Sequence, residues 1–212
     1  MKNLFEQIRV IPVLVFPDPN HAAATAGALI DGGLPILEVT LRTDSAWTSL
    51  ANIIAAYPDA HVGVGTVLDE DQMKRAKDEG AKFAISPGFD LELARAAQTL
   101  DLFYLPGIAT ASELMQARRA GFRFVKFFPA EAAGGRPMIQ SFASPFRDMS
   151  FCPTGGVNAE NMADYLALSN VACVGGSWIA TAQDMAAGDW AGITTKAQTA
   201  RTAAENAGAA KT

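Results

Sequence analysis

Short runs of apolar, β-branched and aromatic residues alternate along this chain with longer segments of helical period. The strand-like runs are 11–16, 36–41, 61–67, 83–86, 103–105, 124–128, 151–154 and 171–174. Between them, apolar positions recur at the three-to-four-residue spacing of helices that bury one face. Those segments are 22–31, 45–56, 69–79, 91–98, 111–120, 137–142 and 159–167, and an Ala-rich helix follows from about Trp190 to Asn206. Gly32-Gly33, Gly80 and Gly121 stand where a glycine ends a helix, and Asn158 stands where an N-cap begins one. The small, polar tail Ala207–Thr212 is expected to fray.

Eight strand–helix units leave two architectures, a doubly wound open sheet or a closed barrel. No G-x-G-x-x-G follows the first strand, which weakens a dinucleotide-binding sheet. Several strands end in small or polar residues: Gly65-Thr66, Ser86-Pro87-Gly88, Pro106-Gly107, Gly155-Gly156 and Gly175-Gly176-Ser177. In a barrel such ends converge on one mouth and leave room for a ligand. The pattern therefore predicts an α/β protein with a single (β/α)₈ (TIM) barrel domain over residues 1–212.

The chain has 212 residues, half of them hydrophobic, with a net charge of −5. That size suffices for a core without disulfide or metal. The charge argues against a nucleic-acid partner, yet leaves room for a small anionic substrate held by a few local groups. Cys152 and Cys173 lie inside apolar runs. They read as buried free thiols of a reducing compartment, with a functional thiol as the alternative. Residues 1–9 lack a signal-peptide core and no apolar stretch reaches membrane-spanning length. A cytoplasmic protein is expected, with no membrane partner.

Lys126 lies in Phe124-Val125-Lys126-Phe127-Phe128-Pro129, among residues of a strand buried on both faces. An ammonium is costly to remove from water, so a lysine there should be a neutral-leaning nucleophile facing the barrel interior or mouth. At the ordinary pKa of about 10.4, about one lysine amine in 2,500 is neutral at pH 7. A pKa near 7–8 would raise that fraction roughly a hundredfold or more. The alternative is an ammonium that snorkels to the surface from a strand end. In Leu37-Glu38-Val39-Thr40-Leu41-Arg42, alternation puts Glu38, Thr40 and Arg42 on one face. Packing of the apolar set against helices turns that face inward. Glu38 could then relay protons beside Lys126, and Arg42 could grip a carboxylate in two bonds. A self-satisfied buried ion pair is the competing reading. Thr66 could hydrogen-bond a substrate carboxylate, while Pro87 and Phe128 could wall an imine from water. Gly155-Gly156 and Gly175-Gly176-Ser177 follow the seventh and eighth strand runs, where barrels often bind phosphate on backbone N–H groups. His21 and His61 are far apart, and no Cys/His spacing suggests a zinc site.

LEVTLRT at 37–43, VGTVL at 64–68, FAISPG at 83–88, KFFPAE at 126–131, FCPTGG at 151–156 and VGGSW at 174–178 together resemble one family. It is that of the 2-keto-3-deoxy-6-phosphogluconate (KDPG) and 4-hydroxy-2-oxoglutarate (KHG) aldolases. The resemblance extends from Ile11 to Asp189. It implies a class I aldolase in which Lys126 forms a Schiff base with pyruvate, Glu38 is the general acid/base and Arg42 binds the keto-acid carboxylate. Thr66, Pro87 and Phe128 would line the pyruvate pocket, and Gly155, Gly156, Gly175, Gly176 and Ser177 would hold the phosphate. It also implies a homotrimer that needs no metal or organic cofactor. Phosphogalactonate aldolases are less similar, since their second-strand segment should carry Pro and Asn in place of Thr40 and Arg42. Two other readings stay open from the residues: a phosphate-binding barrel isomerase or synthase using Lys126 electrostatically, and a non-catalytic sugar-phosphate-binding protein.

Overall fold

The computed structural model describes residues 1–209. A short helix, α1 (Lys2–Ile8), leads into β1 (Val10–Leu14), α2 (Ala22–Asp31), β2 (Ile36–Thr40), α3 (Ala46–Ala56) and β3 (His61–Gly65). Next come α4 (Glu70–Asp78), β4 (Phe83–Ile85), α5 (Leu91–Thr99), β5 (Phe103–Leu105), β6 (Gly107–Ile108), α6 (Ala111–Arg119) and β7 (Phe124–Phe127). The chain continues through α7 (Gly135–Ala143), β8 (Ser150–Pro153), α8 (Met162–Leu166), β9 (Val174–Gly176), α9 (Ala182–Ala187) and α10 (Trp190–Ala209). Side-chain caps fix several helix starts. Asp69 accepts from Gln72 N–H and Asp90 from Leu93 N–H, while Thr110 with Glu113 and Thr181 with Asp184 form reciprocal capping boxes. No helix among the described residues is long and apolar enough to cross a membrane.

All strand pairs are parallel. Six strands run in the order β5-β4-β3-β2-β1-β9 and three in the order β6-β7-β8. The result is a curled parallel sheet with helices outside it. Alternation along each strand sorts the side chains into two cores. Leu37, Val39, Val125, Phe127 and Phe151 face the helices. Ile11, Ile36, Phe83, Ile85, Leu105, Phe124, Cys152 and Cys173 meet inside the curl. Phe5 of α1 plugs this inner core, its ring 5.3 Å from Phe83, 5.7 Å from Phe103 and 5.8 Å from Phe124. Both cysteines are free and buried here, Cys173 with its thiol pKa pushed up by desolvation.

Some boundaries differ from those the pattern predicts. The fifth strand is Phe103–Leu105 as the pattern predicts, but a short strand that the pattern did not mark, Gly107–Ile108, follows it after Pro106, which has no N–H to continue the ladder. The eighth strand is Val174–Gly176, where Val171 makes only an isolated bridge to Phe151. Gly175 and Gly176, expected to follow the strand run, lie within it, because pairing of Gly175 with Ile11 and of Gly176 with Pro12 overrides the weak strand propensity of glycine. The Asn158 carboxamide accepts from Glu160 and Asn161 N–H, yet regular helix starts only at Met162. Helices α1 and α9 are too short to show a period and were not expected. The last helix continues through Ala209 instead of stopping near Asn206; Ala210–Thr212, the rest of the predicted fraying tail, lie outside the described residues.

Candidate active site

Two residues further along the strands than the inner apolar core, the lining turns polar. On β2 the inward series runs from Ile36 to Glu38 and Thr40. On β7 it runs from Phe124 to Lys126, and on β8 from Cys152 to Thr154 at the strand's end. Glu38 and Lys126 belong to different sheets, and the curl brings them face to face. Lys126 Nζ donates to Glu38 Oε1 at 3.2 Å, and each side chain is 2% exposed. This rules out the snorkelling alternative: the ammonium does not reach solvent. The Phe128 ring lies 5.2 Å from the same nitrogen and closes one side of it.

At the mouth above this pair, Arg42 follows β2 and Thr66 follows β3. Arg42 Nε donates to Thr66 Oγ1 at 3.0 Å, and Arg42 is exposed. Thr66 is held at φ +62°, an uncommon conformation for a residue other than glycine. Pro87 is half-buried just past β4. Its loop is fixed by Ser86, whose buried hydroxyl bonds to Tyr104 Oη at 2.6 Å and donates to Gly88 O. Burial pushes the Tyr104 hydroxyl up to about 12. Gly155 and Gly156 follow β8 with φ +96° and +81°. Gly175 and Gly176 lie within β9 and are buried, with Ser177 exposed just beyond. A parallel bridge joins Thr154 to Gly175, bringing the two glycine pairs to adjacent strand ends.

Two contributors were not singled out in the sequence. Thr154 is 4% exposed and continues the inward side of β8; the alternation Cys152-Thr154 carried that signal. The other is the bare inner face of β3. A Cβ on Gly65 would lie 2.0 Å from Glu38 Oε1, and one on Gly63 would lie 2.4 Å from the Phe83 ring. Alternate glycines in His61-Val62-Gly63-Val64-Gly65 mark a strand whose neighbours lean across it. Gly65→Ala is therefore expected to push the Glu38 carboxylate off Lys126. Displacements of about 1 Å can cost roughly a hundredfold. Steady-state kinetics should show that loss mainly in kcat; wild-type kcat would mean that Glu38 needs no such berth.

The family model "KDPG and KHG aldolase" matches residues 1–196. The chain belongs to the KDPG and KHG aldolase family. It is 45% identical to a 2-dehydro-3-deoxy-phosphogluconate aldolase of Pseudoalteromonas atlantica, covering 94% of this chain and 93% of the relative. It is 46% identical to a KHG/KDPG aldolase of Escherichia coli K12, covering 90% of each. Among solved structures it is similar to a KDPG aldolase of Legionella pneumophila holding pyruvate as a covalent carbinolamine. The TM-score there is 0.90 at 43% identity, covering 93% of this chain and 96% of the other.

Proposed function

We propose that this chain is a class I aldolase that cleaves 2-keto-3-deoxy-6-phosphogluconate to pyruvate and glyceraldehyde 3-phosphate. The observation that carries the reading is the isolated Lys126–Glu38 pair, a nucleophile and a proton carrier 3.2 Å apart in a buried layer. In this scheme the neutral Lys126 amine attacks the C2 ketone to give a carbinolamine. Glu38 delivers the proton that lets hydroxide depart as water, leaving a protonated imine. A base, Glu38 in its ionised form, removes the C4 hydroxyl proton. The C3–C4 electron pair moves into the imine, the aldehyde leaves, and an enamine remains. Protonation at C3 and hydrolysis then release pyruvate and regenerate the amine. The imine is itself the electron sink, so the scheme calls for no metal or organic cofactor.

Arg42 and Thr66 would bind the keto-acid carboxylate, a role supported by their joint position at the mouth and by the exposed guanidinium. Pro87 and Phe128 would shield the imine. Gly155, Gly156, Gly175, Gly176 and Ser177 would receive the phosphate. The name of the Escherichia coli relative also supports cleavage of 4-hydroxy-2-oxoglutarate to pyruvate and glyoxylate at the same site.

The curled sheet is proposed to close as a (β/α)₈ barrel forming one domain. Support comes from Pro106, which alone separates β5 from β6, and from the Thr154–Gly175 bridge at the other junction. A homotrimer acting in the cytoplasm, in sugar-acid breakdown by the Entner-Doudoroff route, completes the reading. Exposed Leu68, Leu91, Met115 and Met138 offer apolar surface of the kind subunit contacts cover. Pyruvate release followed with lactate dehydrogenase and NADH tests the activity. Turnover of the phosphorylated substrate is expected; no pyruvate from either substrate, with folded protein, would refute it.

A further inference from the structure

Past β7 the chain keeps pairing with the segment that follows β8. Ala130 N–H donates to Thr154 O at 2.8 Å and Glu131 N–H to Gly155 O at 3.0 Å. On the other side, Asn161 Nδ2 donates to Gly156 O at 3.1 Å. Each bond fixes a peptide plane, and in a trans peptide the next N–H points opposite to the held carbonyl. The Glu131 bond thus aims the N–H of Gly156, and the Asn161 bond aims that of Val157. Neither N–H has a hydrogen-bond partner among the described residues.

The Glu131 side chain forms the floor of this turn. A Cβ on Gly156 would lie 2.5 Å from Glu131 Cγ, so the glycine rests directly on its methylenes. Glu131 is held in turn by Tyr165 of α8, a fully buried side chain whose hydroxyl donates to Glu131 Oε1. Both polar ends sit against the start of α7. A Cβ on Gly135 would lie 3.3 Å from Tyr165 Oη and 3.6 Å from Glu131 Oε1. Nothing in the reaction scheme uses Tyr165, Glu131 or Asn161.

We infer that Tyr165 (acting through Glu131) and Asn161 are positioning residues that hold the Gly156 and Val157 N–H groups ready for the substrate phosphate. This rests on the phosphate site proposed above. The side chains touch no substrate; they set the direction of two donors. Their contribution therefore belongs in phosphate affinity and not in carbon–carbon cleavage.

The test compares wild type, Tyr165→Phe and Glu131→Gln on two substrates, with inorganic phosphate as a competitive probe. Tyr165→Phe keeps the ring and removes the hydroxyl. Losing the hydroxyl's hydrogen bond to Glu131 Oε1 should raise KM for the phosphorylated substrate and Ki for phosphate together, by about fivefold. Its kcat, and both constants for 4-hydroxy-2-oxoglutarate, should stay unchanged. Glu131→Gln keeps the floor and an acceptor for Tyr165, and should remain near wild type. Equal KM changes for both substrates, or none for either, would overturn the inference. Wild type indifferent to phosphate would instead remove the phosphate site and this inference with it. Phosphate inhibition of wild type that Tyr165→Phe leaves intact would defeat the positioning role alone.

Discussion

Lys126→Ala abolishes imine formation with pyruvate and lowers turnover by roughly four orders of magnitude or more, the scale on which loss of a nucleophile acts. No other lysine among the described residues shares its setting: 2% exposed, on the inner side of a strand, with a carboxylate 3.2 Å away. The substitution also strands Glu38. Removing one member of a buried ion pair costs about 3–5 kcal/mol, because the other is left uncompensated. A lowered melting temperature is therefore expected. A Lys126→Ala/Glu38→Gln protein should recover part of that stability while still forming no imine. That recovery separates loss of the nucleophile from loss of the fold. Cleavage activity surviving in folded Lys126→Ala would leave the Schiff-base scheme without its first step.

Glu38→Gln separates binding of the carbonyl from the proton transfers that follow. The amide preserves the shape of the side chain above bare Gly65, but it cannot carry a proton between water, the carbinolamine and the C4 hydroxyl. Loss of a positioned acid or base costs about 10²- to 10⁴-fold, and kcat should fall within that range. Adduct formation with pyruvate should persist at a reduced rate, since the amine is still in place. Trapping time courses run beside steady-state assays distinguish the two effects. Full turnover in this variant would assign the proton relay to another group.

Much of this site was readable because strand alternation has a fixed period. Lys126 between Val125 and Phe127, and Glu38 between Leu37 and Val39, had to face the side opposite the helix-packed residues. Burial on both strand faces then put them inside. What one strand's pattern does not carry is which inward residues meet. Glu38 and Lys126 are 88 positions apart, and only the curl of the sheet supplies their contact. The same limit hid the role of Gly65, whose missing side chain matters through a carboxylate on the neighbouring strand. The Tyr165–Glu131 contact was hidden for the same reason, since α8 is too short to declare a buried face. Gly175 and Gly176 were readable as a strand end but not as strand, since their pairing with β1 depends on residues at the far end of the chain. The strand end at Leu105 was readable for the converse reason, since Pro106 is a purely local breaker.

The most direct test of the central claim is borohydride reduction in the presence of pyruvate, followed by mass spectrometry of the intact protein and its peptides. One reduced pyruvate per chain, mapped to Lys126, is the predicted result. No adduct in folded protein, or an adduct confined to another lysine, would contradict it.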